Sequence, residues 1–199
     1  MLIKGIYIFF AYLCGSIPSA YIVAKVFGKA DIRVIGSGNP GTTNVLRSVG
    51  KIAGILTFAV DVSKGFGPVY FALIIDSSFY YSIVVAFAAI IGHMFTIFLK
   101  FNGGKGVATG LGVFLALMPL PSIVAFIIFS LVFVVSGYAA LGSVCAAVGL
   151  PLVSFFSGYG ADHVVFSFAV SVFIIYKHKA NIRRLKEGSE NRFKIFKRK

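Results

Sequence analysis

Residues 36–47 form a polar loop in an otherwise apolar chain, and they read GSGNPGTTNVLR. The glycines permit backbone conformations closed to other residues, and successive backbone N–H groups in such a turn can surround an anion. The loop also carries a serine, two threonines and Arg47, so phosphate binding explains it better than a plain glycine-rich turn. It lacks the G-x-x-x-x-G-K-[ST] pattern of a Walker loop. We predict a short helix that carries Arg47 and begins at one of three N-cap candidates, Thr42, Thr43 and Asn44.

A second glycine-rich stretch, FNGGKG, occupies residues 101–106. Gly103 and Gly104 would let the backbone approach a ligand closely, and Lys105 would add a point charge suited to phosphate. A tight turn with one basic residue is the plainer interpretation of this stretch alone. Together with residues 36–47, it predicts a second anion-binding loop.

Five further polar residues occur within or at the end of apolar stretches. His178 and Asn181 would share one face of a continuous helix and could point toward a ligand, or His178 could be an interfacial residue of a basic tail. His93 lies inside an apolar stretch, so it must form hydrogen bonds, either structural ones or ones that support a site. Asp61 and Lys64, three residues apart, are predicted to neutralise each other, and a role in the site is the second possibility.

The sequence contains no pattern for a metal site, a cofactor or a covalent intermediate. Cys14 and Cys145 lie far apart in apolar stretches, and the six carboxylates are scattered without metal-ligand spacing. No histidine and carboxylate occur at a sequence spacing from Ser143 that would indicate a nucleophilic serine. We therefore expect no metal, no cofactor and no acylated residue.

The composition indicates a membrane protein. Of 199 residues, 58% are hydrophobic and 13% charged, and the mean hydropathy is +0.94, which leaves too little polar surface for a soluble domain. About 20 residues cross a hydrocarbon core of about 30 Å, so the long stretch Gly106–Ala161 must be split at its breaks, 118–121 and 136–142, into three spans, the first of them short. With the other apolar stretches the total is seven transmembrane helices in one domain, residues 1–199. Those other stretches are Gly5–Ala24, Ile52–Ile75, Ser77–Leu99 and Val164–Tyr176.

The basic residues predict the orientation. With seven spans, most lysines and arginines, including the tail Lys177–Lys199, fall on one side, which the positive-inside rule makes cytoplasmic. The N-terminus is then outside and the C-terminus inside. The net charge of +13 is mostly this topological signal, and the tail suits anionic lipid better than nucleic acid. Four unusual segments lie on the predicted cytoplasmic side: 36–47, 101–106, 136–143 and 178–191.

These segments resemble, in order and spacing, motifs of the bacterial acyl-phosphate:glycerol-3-phosphate acyltransferases, the PlsY family. The matching stretches are GSIPSAY (15–21), SGNPGTTNVLR (37–47), DVSKG (61–65), GHMFTIFLKFNGGKGVAT (92–109) and HKANIRRLKEGSE (178–190). The resemblance implies a seven-span enzyme of the bacterial inner membrane whose active face is cytoplasmic. Its reaction would transfer a fatty acyl group from acyl phosphate to the 1-hydroxyl of sn-glycerol 3-phosphate, releasing lysophosphatidate and inorganic phosphate, as the first acylation step of phospholipid biosynthesis.

The resemblance also implies roles for individual residues. The acyl-phosphate headgroup would be held by Ser37, Gly38, Asn39, Gly41, Thr42, Thr43 and Asn44. Glycerol 3-phosphate would be surrounded by the catalytic group, which consists of Arg47, Lys105, Ser143, His178 and Asn181. Gly103, Gly104 and Gly106 would shape the second loop. Either His178 or a substrate phosphate would accept the hydroxyl proton.

A transporter of a phosphorylated metabolite is the competing class, since it too would need glycines and basic residues near short spans. Against it, the polar residues collect on one face instead of meeting at the membrane midplane. No inverted repeat is evident in the sequence. We expect a monomer that contacts membrane lipid, acyl phosphate and glycerol 3-phosphate.

Overall fold

The computed structural model of this protein describes residues 2–28 and 31–193. Within them the chain is all-helical and contains no strand, as predicted. The α-helices are α1 Leu2–Ser16, α2 Ser19–Val26, α3 Thr42–Ser48, α4 Lys51–Ile75, α5 Phe79–Met94, α6 Val107–Leu117, α7 Pro119–Ser136, α8 Ala139–Phe156, α9 Ala161–Lys177 and α10 Lys179–Lys186, and a 3-10 turn, Ile97–Leu99, follows α5. The chain divides into two compact units, residues 1–117 and 118–199. Lys29 and the end of the basic tail, 194–199, lie outside the described residues.

Small residues bring the helices of the first unit close together. Helix α1 packs on α5 where Gly15 meets the backbone of Ala89 and Gly92 meets that of Tyr12. A Cβ on either glycine would lie 2.1 or 2.2 Å from a backbone oxygen of the facing helix. Such contact is typical of helices that associate in lipid, where close packing replaces the hydrophobic effect as the driving force. Helices α4 and α6 pack in the same way.

The first helix is broken after Ser16. Helices α1 and α2 meet at an angle of 41°, and Pro18, which has no backbone N–H, directly precedes α2. The break leaves the carbonyl oxygen of Ile17 available to other partners, and the Lys64 ammonium donates to it at 2.7 Å. The sequence predicted one continuous first span and did not anticipate this bend.

A small apolar core lies beneath residues 36–47. It combines Ala20 and Ala24 of α2 with Ile32, Val45 and Ala53, all nearly inaccessible to solvent. This core holds α3 against α2 and α4, and so fixes the polar loop on a packed base.

The second unit consists of α7–α10. Helix α7 has Pro119 in its first turn and ends at Gly137, whose φ of 78° favours glycine. Helix α8 packs along α7, with Gly142 close to the Phe129 carbonyl and Gly149 close to Ile128. Helix α7 ends at Ser136 and α8 begins at Ala139, so the break between them is shorter than the predicted one, 136–142.

Within the described residues, four helices are long and apolar enough to cross a membrane, namely α4, α5 with its 3-10 turn, α7 and α8, and the bent pair α1–α2 adds a fifth. Helix α6 has 11 residues and α9 has 17. Many large apolar side chains are exposed, for example Leu2 at 79% and Phe156 at 82%, and so much apolar surface suits contact with lipid. The count of seven spans and the orientation stay predictions.

Candidate active site

Asn44 holds the first loop (residues 36–47) together from inside. Its buried side-chain NH2 donates to the carbonyl oxygens of Ile32 and Ile35 at 3.1 and 2.9 Å. Its amide oxygen accepts from the backbone N–H of Ser37 at 2.9 Å. These bonds hold the loop in shape, and the role of Asn44 as a ligand residue stays a prediction.

Helix α3 carries Arg47 in its last turn, as predicted, but its N-cap differs from the prediction. The N-cap position is Gly41, with an extended φ of −138°. The three candidates, residues 42–44, are instead the first three residues of the helix, and no side chain caps it. Asn44 cannot cap because its amide bonds the preceding backbone, and the Thr42 hydroxyl donates instead to Asp61 at 3.3 Å. The prediction of a side-chain N-cap was wrong.

The other predicted ligand residues of the first loop are accessible to different degrees. Ser37 is exposed, and Gly38, Asn39 and Thr43 are half-buried. The N–H group of Gly38 donates to the carbonyl oxygen of Ile35, just before the loop, and that of Gly41 donates to the carbonyl oxygen of Asn39 within it. Part of the backbone that was predicted to surround an anion therefore holds the loop in shape.

Asp31 and Arg33 form an exposed pair just before the first loop. The side-chain hydrogen bonds from Arg33 lower the pKa of Asp31 to about 2. The carboxylate nearest in sequence to the loop is thus ionised at neutral pH and paired with a guanidinium.

The second loop (residues 101–106) packs against the end of α5. The N–H groups of Gly103 and Gly104 donate to the carbonyl oxygens of Met94 and His93, each at 3.2 Å. A Cβ on Gly103 would lie 2.0 Å from the His93 carbonyl oxygen, and one on Gly104 would lie 2.3 Å from His93 Nε2. These glycines were predicted to let a ligand approach the backbone closely, and in the structure His93 of the same chain lies against them.

Lys105 follows this tight contact and is half-buried. Its other neighbour, Gly106, has a φ of 81°, and a Cβ there would lie 2.4 Å from Met94 Cε. The backbone on both sides of Lys105 is therefore fixed by packing, which makes Gly104 and Gly106 loop-shaping residues.

Asp61 and Lys64 pair inside α4, as predicted, with 2.8 Å between the Lys64 nitrogen and Asp61 Oδ1, and both side chains are buried. Three more side chains reach the same carboxylate. The hydroxyls of Ser19 and Thr42 donate to it at 2.5 and 3.3 Å, and His93 Nδ1 lies 3.6 Å away, beyond hydrogen-bond length. These five residues, the Asp61 cluster, come from helices α2, α3, α4 and α5.

Ser143 and His178, in the second unit, are buried and each bonds a carbonyl four residues earlier. Ser143 lies inside α8 instead of in a loop, and its hydroxyl donates to Ala139 at 2.8 Å. His178 stands between α9 and α10, so the chain is not one continuous helix there. Its Nδ1 lies 2.7 Å from the Ile174 carbonyl oxygen. Because a carbonyl only accepts, Nδ1 carries the proton, and Nε2 of the neutral ring holds a lone pair.

Asn181, in the first turn of α10, is held by a residue that the sequence did not single out. Its amide nitrogen donates to Glu190 Oε1 at 2.8 Å, and Arg184 donates to Glu190 Oε2 at 2.7 Å. Glu190 lies nine residues further along the chain and beyond the end of the helix, so no helical periodicity relates it to Asn181.

The chain is similar to known proteins over nearly its whole length. A family model for glycerol-3-phosphate acyltransferase matches residues 5–188. A glycerol-3-phosphate acyltransferase from Endomicrobium trichonymphae is 62% identical over the full length of both chains. Another from Syntrophotalea carbinolica is 45% identical over 92% of this chain and 94% of its own.

Solved structures agree with these relatives. The crystal structure of PlsY (YgiH), an integral membrane glycerol 3-phosphate acyltransferase, in its glycerol 3-phosphate form has a TM-score of 0.91 with 38% identity, covering 96% of this chain and 95% of that one. Its lysophosphatidic acid form has a TM-score of 0.89 with 36% identity, covering 96% of each chain.

The helical fold and these matches define an integral membrane enzyme of the acyltransferase class. More specifically, the chain belongs to the glycerol-3-phosphate acyltransferase family, the family of PlsY. The family resemblance predicted from the sequence motifs is confirmed.

Proposed function

We propose that this enzyme transfers a fatty acyl group from acyl phosphate to the 1-hydroxyl of sn-glycerol 3-phosphate, and that the products are lysophosphatidate and inorganic phosphate. The observation that carries the proposal is the similarity over almost the entire chain to a structure solved in a glycerol 3-phosphate form. The phosphate on each substrate gives a reason for two basic, glycine-rich loops.

The assignment of residues to substrates rests on the motif resemblance. We assign the acyl-phosphate headgroup to residues 37–43 of the first loop, with Asn44 as the support that holds them. We assign glycerol 3-phosphate to Arg47, Lys105, Ser143, His178 and Asn181. The two basic side chains, Arg47 and Lys105, would supply strong, charge-assisted hydrogen bonds to phosphate.

The chemistry is a direct transfer. The glycerol hydroxyl oxygen attacks the acyl carbonyl carbon, the bond from that carbon to the phosphate oxygen breaks, and phosphate leaves with the bonding electrons. The hydroxyl proton passes either to His178 Nε2, which carries the lone pair of the neutral ring when Nδ1 holds the proton, or to a substrate phosphate. Acyl phosphate is already activated, so positioning and charge stabilisation carry most of the rate, and no residue is acylated.

Purified protein in detergent, incubated with acyl phosphate and labelled glycerol 3-phosphate, tests this function. We expect labelled lysophosphatidate and one phosphate released for each acyl group transferred. Initial-rate plots should intersect, because both substrates must be bound together. Product formed only from acyl-CoA would overturn acyl phosphate as the donor. Parallel initial-rate plots together with an acylated residue would overturn direct transfer. Uptake of label into sealed vesicles without product would favour a transporter.

We also propose seven spans in the bacterial inner membrane, with the N-terminus outside and the C-terminus and both loops on the cytoplasmic side. Single cysteines replace Ser77, Asp162, Asn102 or Ser189 in a chain lacking Cys14 and Cys145, and all four positions are exposed. An impermeant thiol reagent should label the first two in intact cells and the other two only after the membrane is opened. The reverse pattern would contradict the proposed orientation.

A further inference from the structure

Of the Asp61 cluster, only Thr42 has a part in the function proposed above, although Asp61 and Lys64 are a buried charged pair in the first unit. The carboxylate of Asp61 is 1% exposed and is contacted by four side chains from four helices. Lys64, in turn, is anchored to the Ile17 carbonyl at the break between α1 and α2.

Stability is a weak explanation for such a cluster. Removing two charges from water costs several kcal/mol per ion, and replacing a buried ion pair by apolar residues of similar size is often neutral or stabilising. A buried ion pair does, however, hold its partners in one arrangement when each lone pair and proton has a partner. The contacts of the cluster therefore indicate a geometric role.

These contacts reach both glycine-rich loops. Thr42, in the first loop, donates to one carboxylate oxygen of Asp61, and His93 Nδ1 faces the other. The opposite side of the His93 ring lies against Gly104, and its carbonyl accepts the Gly104 N–H. The chain of contacts from Thr42 through Asp61 and His93 thus ends at the residue before Lys105.

A small cavity lies along this chain of contacts and has room for about one water molecule. Its lining includes Pro40 of the first loop, Gly103 and Gly104 of the second, and Lys64 and His93 of the Asp61 cluster. Both loops and the cluster therefore border one common space inside the first unit.

We propose that Asp61 is a positioning residue, which sets the first loop against the second through Thr42 on one side and His93 on the other. It does not touch substrate. Each loop retains its own phosphate donors without Asp61, but the donors of the two loops lose their relative alignment. This inference rests on the proposed function, in which the two loops serve one reaction.

The first test removes the charges without leaving one of them unpaired. Asp61→Leu combined with Lys64→Met should keep the melting temperature within a few degrees of the wild type, because the pair is replaced by apolar side chains. We expect kcat to fall about tenfold or more, since misplacement of about 1 Å can cost about a hundredfold in rate. The KM for each substrate should stay within about threefold. Thr57→Val is the matched control. Thr57 is a buried residue of the same helix, and its hydroxyl donates to the Ala53 carbonyl four residues earlier in that helix.

The second test is a double-mutant cycle that leaves Asp61 and Lys64 in place. Thr42→Val and His93→Gln each break one end of the chain of contacts, and Thr42→Ser keeps the hydroxyl as the conservative control. If both residues act through Asp61, the double variant should lose about as much kcat as the worse single variant. Independent roles would multiply the two losses.

Two results would overturn the proposal: kcat within about threefold of wild type in the folded Asp61→Leu, Lys64→Met variant, or multiplicative losses in the cycle. If the leucine and methionine variant does not fold, the cycle decides alone. Both tests are run with whichever acyl donor the wild-type enzyme uses. A failure of the acyl-phosphate assignment is therefore seen in the wild type, before any variant is compared.

Discussion

The two units of this protein satisfy their buried polar side chains in different ways. In the first unit, the bonds join residues far apart in sequence: Ser19 to Asp61, Lys64 to Ile17, and Thr96 to Ser16. In the second unit, Ser143, Ser154 and His178 each bond a carbonyl four residues earlier in the chain. Most hydrogen-bonded buried side chains of the first unit, Thr57 being an exception, therefore depend on contacts beyond their own helix, whereas most of those in the second need only their own helix.

This difference predicts where substitutions act. A polar residue that bonds across helices holds those helices in place, so its loss should affect stability or alignment well beyond its own position. A serine that bonds its own helix contributes little to packing, so any large effect of its loss must come from contact with substrate.

The largest effect is expected at Lys64. Lys64→Ala leaves Asp61 as a buried charge without its ion partner, which should lower the free energy of unfolding by about 3–5 kcal/mol. Thermal unfolding in detergent measures this. Arg183→Ala is the matched control in the second unit, because its pair with Glu187 is exposed and worth about 1 kcal/mol or less. Equal losses in the two variants would contradict the contrast between the units.

The next effect is expected at Gly103. In Gly103→Ala the new Cβ would lie 2.0 Å from a backbone oxygen, which cannot move aside as a side chain can. Overpacking of this kind costs about 1–3 kcal/mol and should displace Lys105, lowering kcat/KM by about tenfold to a hundredfold. Gly67→Ala, which meets nothing within 4 Å, should retain wild-type kinetics. Normal kinetics in both variants would separate the second loop from the site.

A smaller effect is expected at Glu190, which bonds the buried Asn181 from nine residues away instead of within one helix. Glu190→Ala removes the acceptor for both Asn181 and Arg184, and charged hydrogen bonds contribute about 1.5–3 kcal/mol. We expect kcat/KM to fall about tenfold. Glu190→Gln should recover part of this loss by keeping an oxygen for Asn181. No difference between the alanine and glutamine variants would show that the oxygen facing Asn181 is unimportant.

The smallest effect on folding is expected for the serines of α8. Ser143→Ala and Ser154→Ala each remove one bond to the residue four positions earlier, so each should change the free energy of unfolding by about 1 kcal/mol or less. Only Ser143→Ala should lower kcat/KM, because Ser143 alone is proposed to contact substrate. Equal kinetics in the two variants would remove Ser143 from the proposed site.

The features that could be predicted from the sequence are those carried by local pattern. The all-helical membrane fold follows from long apolar stretches, the short helix of Arg47 follows the glycine-rich turn, and the Asp61 and Lys64 pair follows from helical spacing. The bend at Pro18 could have been suspected, because proline lacks the N–H that a continuous helix uses.

Other features could not be predicted because their parts are distant in sequence. Asn44 is a plausible N-cap by residue type, yet its amide bonds Ile32 and Ile35 because the preceding segment folds back over α3. Glycines 103 and 104 were predicted to admit a ligand, whereas His93, ten residues earlier, lies against them. The position of a glycine in the sequence does not show which neighbour occupies the space that a side chain would fill.

The sequence by itself determined the apolar character, the helical class, the two glycine-rich loops and the family motifs, because hydropathy, helix periodicity and glycine placement act over a few residues. Only the tertiary structure decided that Asp61 receives bonds from Ser19 and Thr42, that His93 packs beneath the second loop, and that Glu190 holds Asn181. The reason is physical: a buried polar group must find a partner, but which one it finds depends on which helices pack around it.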